Sequence, residues 1–112
     1  MPKGDHLGEF EQVVLLAVAR LHTDAHAAAI QREIAQTTGR LVTQASIHVT
    51  LSRLERKKYA VSSAMLGPAG EGGRPRKVYR LSLQGIFELQ SSRLAYARLW
   101  KGVAFDPLKG ST

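Results

Sequence analysis

Cysteine is absent from this chain, which excludes disulfides and thiolate metal sites and fits a reducing compartment. Long apolar runs are absent as well: the longest, Val13 to Ala19, has seven residues and follows an acidic flank. It is too short to cross a bilayer and lacks the basic lead of a secretory signal, so a soluble cytoplasmic protein with no membrane partner is expected. The glycine-rich run 67–73 has no Lys-Ser or Lys-Thr ending and opens no helix, which excludes a phosphate-binding loop of the nucleotide type. His22 and His26 are four apart and the fold could bring His48 near them, but the first pair straddles a turn with only Asp24 as a nearby carboxylate, so ordinary packing or solvent exposure is the reading preferred to a metal site. No serine, histidine and acid are spaced as a catalytic trio. A non-enzyme without metal or cofactor is expected.

Acids are also scarce in one region. The 112 residues carry 16 Lys and Arg against 9 Asp and Glu, a net charge of +7. Residues 40–80 alone hold nine bases and two acids, whereas residues 1–39 sum to -2 and residues 81–112 to +2. The middle of the chain therefore carries the equivalent of the whole net charge, which points to a polyanionic partner at that surface. A basic face kept only for solubility is the competing reading. An apolar fraction of 44% argues against disorder, and the length suits one domain with a real core.

Apolar spacing predicts four helices and one hairpin. Residues 1–6 read as a loose arm. A helix over about residues 8–21 places Phe10, Val13, Val14, Ala17, Val18 and Leu21 on one stripe, which Leu15 and Leu16 widen, and leaves Glu9, Glu11 and Gln12 as its small polar face. Such a helix is covered on two sides. The turn His22-Thr23-Asp24 offers Thr23 or Asp24 as the cap of a second helix over about residues 25–38, which Gly39 stops.

Thr43 is placed to cap a third helix ending near Lys57. Ile47, Leu51 and Leu54 share its inner face, with Thr50 at the edge. Its outer face, Ala45, Ser46, His48, Val49, Ser52, Arg53 and Arg56, is small, polar and basic. Small side chains allow close approach to base edges, and the arginines reach bases or phosphates. Residues 59–66 form the expected first strand of a hairpin. Its second strand follows the cationic segment Arg74, Arg76 and Lys77, with Tyr79 and Leu81 facing inward and Arg80 near the base. Three helices and a hairpin in this order make a winged helix-turn-helix, a fold that is mainly α with a small β-hairpin.

Four segments in order resemble the PadR family of bacterial winged-helix transcriptional regulators, over roughly residues 7–97. They are Leu7-Gly8-Glu9-Phe10-Glu11, Ile30-Gln31-Arg32-Glu33-Ile34, Ile47-His48-Val49-Thr50-Leu51-Ser52-Arg53-Leu54-Glu55, and Gly73-Arg74-Pro75-Arg76-Lys77-Val78-Tyr79-Arg80-Leu81-Ser82. The third is similar to the family's Leu-x-Arg-Leu-Glu run and the last to its glycine-rich Arg-Lys, Tyr-Arg-Leu-Thr wing. The chain departs from the family at His26 and His48, where tyrosine is common, and at Lys58, where a glycine usually ends the third helix.

The last helix, over about residues 82–103, carries Leu83, Phe87, Leu94 and Ala97 on one stripe and Ile86, Leu89, Tyr96, Trp100 and Val103 on a second. Two stripes exceed what a small domain can cover, so a second copy is expected to take the excess. The resemblance implies the same, a C-terminal dimerisation helix packing with the first helix. The expected interface is Phe10, Val14, Ile86, Leu89, Arg93, Tyr96 and Trp100, with a single wide contact inside one protomer as the alternative. In relatives that sense small aromatic compounds, aromatic residues near these helices touch the ligand, which makes Tyr96 and Trp100 the candidate effector pocket.

The expected organisation is a DNA-binding domain over 1–81, the dimerisation helix over 82–103 and a flexible tail over 104–112. The expected function is a sequence-specific repressor binding double-stranded DNA as a homodimer on an inverted repeat. Gln44, Ala45, Ser46, His48, Val49, Ser52 and Arg53 would lie at base edges, with Arg56, Arg74, Arg76 and Lys77 mainly on phosphates. The alternatives are a non-specific nucleoid-type protein and a winged-helix adaptor for another protein.

Overall fold

The computed structural model describes residues 6–66 and 75–105. The expected arm over 1–5, the loop tip with Arg74, and the tail from 106 onward lie outside the described residues. The elements run α1 (Glu9–Leu21), α2 (Ala27–Thr38), α3 (Gln44–Arg56), β1 (Ala60–Leu66), β2 (Pro75–Leu81) and α4 (Leu83–Trp100). This is the winged helix-turn-helix order, with a fourth helix appended.

Helix α1 is central. It packs against α2, α3, β2 and α4, and Val14, Leu15 and Val18 are almost wholly buried. The inner faces of α2 and α3 close the core on it through Ile30, Ile34, Ile47, Leu51 and Leu54. Eight such side chains removed from water, at about 1.5–3 kcal/mol each, dominate the stability of so small a body. Among the described residues no helix is long and apolar enough to cross a membrane.

Strands β1 and β2 pair antiparallel, from Ala60 opposite Leu81 to Leu66 opposite Pro75. The connector between α1 and α2 joins their edge, because the Tyr79 N–H donates to the Ala25 carbonyl at 2.9 Å. That bond corrects the expected start of the second helix. Ala25 is held extended against β2, so the helix begins at Ala27 with His26 at its cap position, and Asp24 turns its carboxylate to Arg76. Upstream, His22 has φ 61 and ψ -74, and the Thr23 N–H reaches the Leu21 carbonyl at 2.7 Å, a strained γ-turn that ends α1 abruptly.

The end of α3 is also sharp. Lys58 has φ 67, the left-handed region. Its N–H donates to the Glu55 carbonyl and that of Tyr59 to the Leu54 carbonyl, both at 2.9 Å, while the Leu54 and Tyr59 side chains are buried together. This pattern of paired bonds with an apolar clasp normally uses glycine at the left-handed position. Lys58→Gly is therefore expected to raise stability by about 0.5–1 kcal/mol, a few degrees in melting temperature, since the exposed lysine side chain loses little. Thermal unfolding of the two proteins checks this; a variant that melts lower would show that the turn carries no strain.

Candidate nucleic-acid interface

The Thr43 hydroxyl accepts the Ser46 N–H at 3.0 Å and fixes the first turn of α3. With Ile47, Leu51 and Leu54 buried below, the opposite face stands clear of the body. Gln44, Ala45, His48, Val49, Ser52, Arg53 and Arg56 are all exposed. Ser46 is half-buried, and its hydroxyl donates to the Thr43 carbonyl at 2.8 Å. It belongs to the capping turn, which revises its expected place among base-reading residues.

Charge is partitioned with some economy. Five of the six described acids are paired: Glu9 with Arg40 at 2.7 Å, Glu11 with Lys57 at 2.8 Å, Asp24 with Arg76 at 3.0 Å, Glu33 with Arg20 at 2.6 Å, and Glu55 with Lys77 at 3.6 Å. The bond from Arg40 holds the Glu9 carboxyl below its ordinary range, and those from Arg20 and Thr37 do the same for Glu33, so both stay ionised at neutral pH. On α3 and the strands that follow, Arg53, Arg56 and Arg80 are exposed and have no ion pair among the described residues. The cations of this face are therefore not neutralised by the described acids.

The wing cations divide differently from the sequence reading. Arg76 is drawn back to Asp24, 52 residues upstream, and is only 31% exposed. It ties the far end of β2, where it pairs with Met65, back to the connector between α1 and α2, so it is not the free cation that its expected role as a phosphate ligand implies. Lys77 is 62% exposed, lies 5.8 Å from the centre of the Tyr79 ring, and is held loosely by Glu55. Burial pushes the Tyr79 phenol up from its ordinary value, keeping it neutral beneath that ammonium.

No protein-family model matches the sequence, and no curated protein does. Solved structures do match. A PadR family transcription regulator from hypervirulent Clostridium difficile has a TM-score of 0.69 at 18% identity, over 84% of this chain and 93% of that one. A PadR family transcriptional regulator from Eggerthella lenta gives 0.68 at 24%, over 93% and 88%. A PadR-like transcriptional regulator from Bacillus cereus gives 0.67 at 15%, over 82% and 84%. The chain has the PadR fold.

In this PadR fold α4 leaves most of its apolar side chains open. Tyr96 is 57%, Trp100 61% and Ile86 41% exposed, Arg93 is exposed, and Leu89 is half-buried against the core. Phe10, on α1, is half-buried with the Arg40 guanidinium 5.1 Å from its ring centre. Val14 differs from the expectation. It is fully buried among residues of its own protomer and has no surface to offer a partner; the period of the stripe placed it on the right face but could not say which body covers that face. Beside α4 a groove of about 300 Å³ is lined by Leu16, Ile86, Leu89 and Arg93. Tyr96 and Trp100 line a shallower hollow of about 200 Å³ with Leu99, Val103 and Phe105.

Proposed function

We propose that the chain is a sequence-specific DNA-binding transcriptional regulator, a repressor acting in the cytoplasm as a homodimer on an inverted-repeat operator. The observation that carries this is the outer face of α3, where Arg53 and Arg56 stand exposed beside small side chains and without an ion pair among the described residues, while five of the six described acids are taken up by other cations. In this reading Gln44, Ala45, His48, Val49, Ser52 and Arg53 approach base edges in the major groove, and Arg56, Lys77 and Arg74 hold phosphates. The exposed residues Ile86, Tyr96 and Trp100 of α4, with Arg93 at their edge, supply the dimer contact. Two-fold symmetry then sets the recognition helices about 34–36 Å apart, one turn of duplex. The hollow beside Tyr96 and Trp100 suits a small aromatic effector, and saturable quenching of the single tryptophan tests it.

If each subunit neutralises about three or four phosphates, the logarithm of affinity falls with the logarithm of salt at a slope of roughly -5 to -7. Fluorescence anisotropy across a salt series measures it, and a slope near zero removes the electrostatic premise. Preference for one operator over random duplex should reach at least ~10³. A protein with the expected slope but no such preference would be the non-specific binder instead.

A further inference from the structure

Gln44, the first residue of α3, is held by a side chain from another helix. Gln31, half-buried on α2 between the core residues Ile30 and Ile34, donates its Nε2 to the Val42 carbonyl at 2.7 Å. Val42 itself packs against the core. A backbone carbonyl accepts only from a donor, so this bond determines which end of the Gln31 amide is nitrogen. The Oε1 atom of Gln31 then faces Gln44, whose Nε2 donates to it at 3.2 Å. The orientation of the second amide follows from the first. Turned over, Gln44 would set one carbonyl oxygen against another.

We infer that Gln44 reads an adenine in each half-site and that Gln31 is the residue that positions it. The inference rests on the proposed function and names what that face recognises. With one amide hydrogen given to Gln31, Gln44 keeps one hydrogen and its carbonyl oxygen. Adenine presents an N7 acceptor beside an N6 donor in the major groove, the complement of that pair. Guanine presents two acceptors, N7 and O6; the remaining hydrogen meets one of them and the Gln44 oxygen opposes the other. Cytosine offers a single donor, and thymine an acceptor with a methyl group. The neighbours allow the approach, because Ala45 is small and exposed and the Ser46 hydroxyl is turned back to Thr43. Without Gln31 the Gln44 amide would turn freely and could direct both hydrogens at guanine, so Gln31 also acts against the wrong base.

The test uses the full chain with duplexes selected from a random library, followed by competition among single-base variants of the selected site. The wild type should contain one adenine per half-site whose replacement weakens binding roughly 5- to 150-fold, the usual discrimination of a bidentate pair. Gln44→Ala should bind all four bases equally at that position and keep its discrimination at the others. Gln31→Leu preserves volume and removes the amide; it should lose preference at the same position, most of all against guanine, with no change elsewhere. Gln31→Glu keeps an oxygen that can accept from Gln44 but sets its other oxygen against the Val42 carbonyl; it should keep more of the adenine preference than Gln31→Leu, at lower overall affinity, which a merely structural role for Gln31 would not produce. Circular dichroism and melting confirm that each variant is folded. Adenine preference that survives Gln44→Ala, or a different base selected there by the wild type, overturns this inference and leaves DNA binding standing. A wild type with no preference over random duplex overturns the operator reading and this inference with it.

Discussion

Replacing Glu11 by alanine should remove about 3–5 kcal/mol of stability, from a total that for small domains is only about 5–15 kcal/mol. Glu11 is 5% exposed, and the side chain of its partner Lys57 is 15% exposed. The Lys57 ammonium donates to both carboxylate oxygens, at 2.9 and 2.8 Å, and to the His6 carbonyl at 2.9 Å. The same carboxylate accepts the Gly8 N–H at 2.7 Å and so satisfies the start of α1. Alanine would leave a cation in a site almost closed to water with one acceptor instead of three, and would free a helix-terminal N–H as well. Most of the loss comes from the group left behind, which the paired variant Glu11→Leu with Lys57→Met isolates. Replacing both charges by apolar groups of similar size should recover most of the stability. Urea unfolding of the three proteins measures this, and a Glu11→Ala protein within 1 kcal/mol of wild type would show the pair to be an ordinary surface contact.

That pair also marks where sequence reading stops. The interior of α3 could be read because its causes are local: Ile47, Leu51 and Leu54 recur at helical spacing, and Thr43 lies three residues before the N–H it caps. Glu11 sits at the edge of an apolar stripe and looked like solvent-facing polarity, because its partner is 46 residues away. The start of α2 was misplaced for the same reason, since the bond that holds Ala25 extended comes from Tyr79. Alternation along β2 turns Tyr79 inward and Val78 outward, yet both are buried. Charge density found the basic region without finding which cations were committed, and Arg76 was assigned outward while Asp24 held it. Gln31 lay inside a segment that resembled the family, but nothing in its spacing from Gln44 pointed to a bond across the helix-turn-helix. Composition and period report which faces are apolar or charged. Contacts between distant segments decide what each face meets.

Gly85→Ala should be the most damaging single change in α4, and it should act on operator binding as well as on stability. Gly85 is the one buried residue of that helix. A methyl group there would lie 2.1 Å from the Tyr59 carbonyl oxygen and 3.0 Å from its carbon, contacts with backbone that no side-chain rotation relieves. That backbone is fixed from several directions. The Tyr59 N–H is bound to Leu54, the Tyr59 carbonyl accepts the Ser82 N–H at 3.1 Å, and the Ser82 hydroxyl donates to the Lys58 carbonyl at 2.7 Å while capping Gly85. The first turn of α4 is thus seated on Lys58 and Tyr59, just beyond the end of α3. Overpacking at such a site costs about 1–3 kcal/mol, and α4 has little else to hold it, since its far half is exposed. The helix should tilt away. In the proposed dimer α4 sets the separation of the two recognition helices, so a tilt of a few degrees over its 18 residues mismatches the half-sites even where each domain stays folded. The expected result is a melting temperature lower by several degrees and operator affinity down by at least about tenfold, with binding to random duplex nearly unchanged because the free cations of α3 remain. Equal losses on operator and random DNA would mean that the substitution merely unfolds the protein, and unchanged operator affinity would separate α4 from the geometry of DNA recognition.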